Sequence, residues 1–216
     1  MRIFRNLAAI AFFAILVRPL LYLATGLRVI GGERLPARGP AVIAANHNSH
    51  LDTLVLMSLM PLSLLPRVRP VAAADYFLRN RVLAWFATRV IGILPIARRS
   101  GSRDGDPLAP VLEALDRGEI LIFFPEGTRG EPERLKEFKS GLARLKERRL
   151  SVPVTPVFLH GVGKALPKGE AVLVPFFVDV FVGAPVEWTG DRESYLARFR
   201  EAIVSLAGEG DYPAWE

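Results

Sequence analysis

A histidine and a carboxylate stand five residues apart in Ala45-Asn46-His47-Asn48-Ser49-His50-Leu51-Asp52, a spacing that can give a base and its orienting partner. A neutral imidazole, with an ordinary pKa of about 6.5, can take the proton of an attacking hydroxyl, worth roughly 10²–10⁴ in rate. A carboxylate beside it would fix the ring's tautomer and stabilise the imidazolium, as aspartate does in a hydrolase triad. His47 is therefore the candidate base and Asp52 its partner. A second block, Phe124-Pro125-Glu126-Gly127-Thr128-Arg129, suits an anion. Gly127 lets backbone approach, Thr128 offers a hydroxyl, and Arg129 presents a planar fork able to hold two phosphate oxygens.

Plainer readings stand beside these. Ser49 followed three residues later by Asp52 is close to a capping box, so Asp52 can simply start a helix. A histidine at a strand end can be a hydrogen-bonded structural residue, and Arg129 a solvated turn arginine.

Both blocks fall where strands are expected to end. Residues 40–45 form a short apolar run after a Pro/Gly-rich turn, suited to a buried strand, and residues 54–65 are an apolar helix candidate. His47 then lies in the hand-over turn with Asp52 in the first helical turn. Residues 118–123 precede the second block as another apolar strand. In open α/β sheets the carboxyl ends of strands are where ligands bind. Further strands are expected at 68–74, 94–96, 120–124, 154–159 and 172–182, and helices at 77–90, 107–117, 140–149 and 191–206. This alternation predicts an α/β fold, a mixed and largely parallel sheet covered by helices.

The Asn-His-x4-Asp and Phe-Pro-Glu-Gly-Thr-Arg elements together resemble the glycerolipid acyltransferase family, of the 1-acyl-sn-glycerol-3-phosphate acyltransferase kind. Ile91-Gly92-Ile93-Leu94-Pro95-Ile96-Ala97-Arg98 resembles the family's Gly-x-x-Phe-Ile-x-Arg block, with Arg98 at the arginine that helps hold the acceptor's phosphate. Pro95 stands where an aromatic is usual and Ala97 where an acid is frequent, so the acceptor head group can differ from simple lysophosphatidic acid. Val152-Pro153-Val154-Thr155-Pro156-Val157 resembles a fourth, structural block. The resemblance implies an enzyme moving a fatty acyl group from acyl-CoA or acyl carrier protein to the sn-2 hydroxyl of lysophosphatidic acid. It implies His47 as general base oriented by Asp52, and Glu126, Gly127, Thr128, Arg129 and Arg98 at the acceptor. With no cysteine and no Gly-x-Ser-x-Gly elbow, direct attack requires no acyl-enzyme. Two other readings stay open: transfer to another lysolipid, such as an amino-acid or sugar lipid, and a catalytically silent lipid-binding membrane protein.

Composition bounds the rest. The chain of 216 residues gives one domain of ordinary size with an appendage, half its residues apolar and its formal charge +6. An anionic partner is expected, whether phosphate head group, acidic membrane or acidic carrier. Nucleic acid is not, because basic residues interleave with acids, as in 131–149, and no binding motif is present. His47 and His50 lie three apart and Glu126 can approach, yet neither a His-Glu-x-x-His helix nor a cysteine set exists, so neither metal nor cofactor is expected.

Residues 1–28 are expected to form a membrane-interacting helical segment and 29–216 the acyltransferase domain. Residues 7–17 are an unbroken apolar run, interrupted by Arg18-Pro19, resumed at 20–24 and closed by Gly26. A single span over 7–27 would place Arg18 in the bilayer at about 2.5–3.5 kcal/mol, which eleven Leu, Ile, Phe and Val residues at about −0.3 to −0.6 each can offset. Arginines at 2, 5, 18 and 28 show no bias to one side. The expectation is two short helices broken near Arg18-Pro19, dipping into one leaflet at the cytoplasmic face while arginines snorkel to the head groups.

Overall fold

The computed structural model describes residues 2–74, 80–96, 106–130, 134–165, 174–210 and 212. Among these, seven strands form the sheet: β1 (Arg28–Ile30), β2 (Ala41–Ala45), β3 (Val68–Ala73), β4 (Leu94–Ile96), β5 (Ile120–Phe123), β6 (Val154–His160) and β7 (Asp179–Val182). Their spatial order is β1-β7-β6-β2-β5-β3-β4, parallel throughout except for the antiparallel β6–β7 pair. The expected mixed, largely parallel α/β fold is what the chain adopts.

Period two explains the layering. In β2, Ala41, Ile43 and Ala45 enter one core and Val42 and Ala44 the other; in β5, Ile120 and Ile122 part from Leu121 and Phe123 in the same way. Both strands are buried on both faces, as parallel strands between helical layers must be. The helices are α1 (Arg2–Ala11), α2 (Arg18–Thr25), α3 (Leu51–Leu59), α4 (Arg81–Phe86), α5 (Ala109–Asp116), α6 (Gly141–Arg148), α7 (Val162–Ala165) and α8 (Arg192–Gly208). Phe13, Val17 and Leu21 of the amino-terminal helix share one core with α3, and Val111, Leu142 and Phe199 from α5, α6 and α8 share the other.

Register positions the site. β2 lies between β6 and β5, with Ala44 opposite Phe123 and Ala45 opposite Val157. The segments leaving β2 and β5 therefore emerge side by side at one edge.

Several boundaries differ from expectation for local reasons. The helix expected at 54–65 starts at Leu51 and ends at Leu59, because Met60, before Pro61, is extended. The helix expected at 77–90 is described from its cap, Asn80, whose side chain accepts from the Val82 and Leu83 amides, and passes into a π turn at Ala87–Ile91; residues 77–79 lie outside the described residues. The strand expected at 172–182 is extended pairing only over Asp179–Val182, with 172–173 outside the described residues. β1 and α7 were not expected, being too short for a periodic signal.

The amino-terminal segment does not break at Arg18-Pro19. A π segment, Phe12–Val17, joins α1 to α2, and the backbone stays helical through Arg18 and past Pro19. Leu7–Thr25 is one helix of 19 residues, long and apolar enough to cross a membrane. Nor does Arg18 snorkel outward. Its guanidinium donates to the carbonyls of Ser58 at 3.0 Å and Met60 at 2.5 Å. These lie at the carboxyl end of α3, where orphan carbonyls and the negative end of the helix dipole attract a cation.

Candidate functional site

Asn46 ends β2 by extending its pairing through a side chain. Its amide donates to the Leu159 carbonyl at 2.9 Å and its oxygen accepts from the Leu159 amide at 2.8 Å. These bonds fix the start of the turn against β6. His47 follows, held by its backbone from the other side: its N–H donates to Glu126 Oε1 at 2.9 Å and its carbonyl accepts from the Gly130 amide at 2.7 Å. The β2 and β5 turns are thus bonded to each other.

The His47 ring stacks on Phe124, centroids 4.1 Å apart, and its Nδ1 lies 2.9 Å from Asp52 Oδ2. Asp52 is fully buried, and the same oxygen accepts from the Asn48 amide at 2.7 Å and the Ser49 amide at 2.9 Å. The bond to Ser49 is half of a capping box, so the structural reading of Asp52 and the contact with His47 hold together. A carboxylate facing Nδ1 selects the tautomer with the proton there and leaves Nε2 as the ring's basic nitrogen.

Glu126 is buried and does not line the pocket; it acts on the backbone of His47. Burial pushes its carboxyl above the usual range, against the opposing pull of the amides of His47 and Lys136. Gly127 has φ 71°, a left-handed conformation, and a Cβ there would stand 3.0 Å from Cδ and Nζ of Lys139. Gly127, Thr128 and Arg129 all line the pocket, as does His47. His50, which lines the same pocket, is pushed down to about 4, chiefly by desolvation and then by the charges of Arg129 and His47. Arg98 lies outside the described residues.

The pocket has a volume of about 1010 Å³ and a lining of two kinds. Leu54, Val71, Leu83, Phe86, Ile91 and Ile96 are apolar. Arg129, Lys136, Lys139 and Arg144 are cationic, and no aspartate or glutamate is among the described lining residues. Lys136 Nζ donates to the Arg129 carbonyl at 2.8 Å, tying the two cationic segments together. Sequence reasoning missed Asn46, Lys136, Lys139 and Arg144 as site residues. The last three sit in a mixed-charge run that reads as a solvated helix face, and only the fold turns them toward Arg129. No group of three or more histidine, cysteine, aspartate or glutamate residues that could hold a metal occurs among the described residues.

The family model described as Acyltransferase matches residues 26–160, a stretch containing both strand-end turns. The chain belongs to the acyltransferase family. Among curated relatives of this acyltransferase domain is a chloroplastic 1-acyl-sn-glycerol-3-phosphate acyltransferase of Brassica napus, 34% identical over 158 residues, covering 72% of this chain and 44% of that protein. The human 1-acyl-sn-glycerol-3-phosphate acyltransferase alpha is 28% identical over 200 residues, covering 85% of this chain and 67% of that protein. A lyso-ornithine lipid O-acyltransferase of Rhizobium meliloti is 30% identical over 124 residues, covering 56% and 38%. The chain spans less than half the length of the Brassica relative. In fold it matches the crystal structure of the 1-acyl-sn-glycerophosphate acyltransferase PlsC from Thermotoga maritima, with TM-score 0.76, 21% identity, and coverage of 99% of this chain and 83% of that one.

Proposed function

We propose that the chain transfers a fatty acyl group from an acyl thioester, acyl-CoA or acyl carrier protein, to the sn-2 hydroxyl of lysophosphatidic acid, giving phosphatidic acid. The observation that carries this reading is the His47–Asp52 contact of 2.9 Å at a pocket lined by both cationic and apolar side chains. Nε2 takes the hydroxyl proton as the alkoxide oxygen attacks the thioester carbonyl. Asp52 stabilises the resulting imidazolium. Collapse of the tetrahedral intermediate breaks the carbon–sulfur bond, and the imidazolium returns its proton to the departing thiolate. Arg129 and the hydroxyl of Thr128 hold the acceptor's phosphate, with Gly127 keeping the approach open. Glu126 is a positioning residue that sets the His47 backbone, and Arg98 is assigned to the acceptor by resemblance alone. The apolar lining accepts the acyl chain.

The amino-terminal helix supports a membrane-surface location. Ala9, Phe13, Val17 and Leu21 are buried against the body at four-residue spacing while Ile15, Leu16, Tyr22 and Leu23 face outward. A helix packed along its length and anchored through Arg18 fits insertion into one leaflet better than a separate span. The cytoplasmic face is favoured because thioester donors are water-borne.

A second acceptor is favoured by one comparison. The Rhizobium relative is named for acylating lyso-ornithine lipid, and Pro95 and Ala97 depart from the usual acceptor block. Offering purified protein lysophosphatidic acid and lyso-ornithine lipid in parallel, with each donor, tests the assignment. Product from the first acceptor alone supports it; product from the second alone replaces it.

A further inference from the structure

α4 (Arg81–Phe86) is a short helix with residues of one face on the pocket and others exposed. Leu83 and Phe86 line the pocket, whereas Val82 is 76% and Trp85 61% exposed. Single exposed apolar residues are ordinary, but these are not isolated. The Phe86 ring packs edge-on against Phe12 of the amino-terminal helix, centroids 5.2 Å apart. That helix presents Ile15 at 77% and Leu23 at 88% exposure, with Leu16, Leu20 and Tyr22 also outward. The two elements are thus in contact, and each carries exposed apolar side chains.

The charge around this surface selects its partner. The segments 7–30 and 80–96 contain no aspartate or glutamate; of their arginines, Arg18 is bound to the Ser58 and Met60 carbonyls and Arg28 pairs with Asp179, while Arg81 and Arg89 lie on α4 and the π turn that follows it. Exposed Trp and Tyr among apolar side chains, with Arg81 and Arg89 on the segment that carries Trp85, suit the head-group boundary of an anionic bilayer. A bilayer also accommodates the neighbouring 19-residue helix that is long and apolar enough to cross one.

We propose that α4 is a second membrane-inserting element, seated through Val82 and Trp85 in the same leaflet as the amino-terminal helix. Leu83 belongs both to the exposed face and to the pocket wall, so this wall is the side turned to lipid. Acyl chains then pass between leaflet and pocket beside Leu83 and Phe86 without crossing water. This entry route rests on the acyl-transfer reading, whereas the membrane contact does not.

The test uses the full chain, its intrinsic tryptophan emission, and phosphatidylcholine–phosphatidylglycerol vesicles with brominated acyl chains. Bromine should quench a component of the emission that disappears in Trp85→Phe, an exposed substitution without a folding cost. The catalytically silenced His47→Ala protein should show the same quenching, so this result stands apart from whether the acyl-transfer reading holds. Val82→Glu should weaken vesicle binding on the order of tenfold by removing one inserted apolar side chain. Equal quenching in parent and Trp85→Phe would overturn the proposal. So would vesicle binding unchanged in Val82→Glu, or a Trp85-dependent dimer in sedimentation with no lipid quenching.

Discussion

Replacing Asp52 by asparagine removes a charge while keeping a shape. Oδ2 receives three contacts, from His47 Nδ1 at 2.9 Å and from the amides of Asn48 and Ser49 at 2.7 and 2.9 Å. An asparagine oxygen in that place still accepts from both amides and from the ring N–H, so turn and tautomer persist and only stabilisation of the imidazolium is lost. At an effective dielectric of ~20 the carboxylate–imidazolium attraction across this contact is about 4–6 kcal/mol. Water at the half-buried ring returns part of it, so kcat should fall on the order of 10²–10⁴. Asp52→Ala behaves differently, because it also strands two buried amides at about 1–3 kcal/mol each. For a domain of this size that lowers Tm by roughly 4–24 °C. Steady-state acyl transfer and thermal melting of both variants separate the roles. If Asp52→Asn keeps more than a tenth of kcat, or melts as low as Asp52→Ala, the charge is not what catalysis uses and Asp52 is a helix cap.

Other positions give sharp expectations. Glu126→Gln retains an acceptor for the His47 amide and should keep most activity, while Glu126→Ala should lose kcat and about 1–3 kcal/mol of stability in denaturant melts. Because burial raises the Glu126 carboxyl, the native state binds more protons there than the unfolded chain; its contribution is full below the ordinary carboxylate pKa and is lost as pH rises through the folded value. Stability of Glu126→Gln relative to the parent should therefore improve with rising pH through that window. His50 has the opposite sign: with a folded pKa of about 4 against about 6.5 unfolded, the unfolded state binds more protons between them, so stability falls as pH drops through this range. His50→Gln should flatten that part of the melting profile. Arg129→Lys loses the two-oxygen fork and should raise KM for the lysolipid about 10–100-fold with a smaller change in KM for the thioester.

The centre of the fold is legible because β2 and β5 are apolar on both faces and are followed by residues that cannot continue a strand. His47 and Glu126 are 79 positions apart, and their hydrogen bond depends on the parallel register of those strands, which local pattern leaves open. The bond from the His47 amide to the buried Glu126 carboxylate is therefore a feature that only the fold reveals. Arg18 reads as an interruption of an apolar run; the carbonyls that satisfy it belong to Ser58 and Met60, about forty residues on. β1, three residues at the sheet edge, has too little burial to leave a periodic signal. Lys136, Lys139 and Arg144 are hidden for the opposite reason, since charge on a helix-like run looks the same whether it faces water or a pocket.

The most direct test compares parent and His47→Ala protein in mixed micelles containing lysophosphatidic acid and a long-chain acyl-CoA or acyl carrier thioester, with phosphatidic acid quantified by mass. The parent should form it, and His47→Ala should lose roughly 10²–10⁴ in kcat while melting within a few degrees of the parent. Equal turnover by the substituted protein would contradict the role of His47, and no product from either donor would contradict the lysophosphatidic acid assignment.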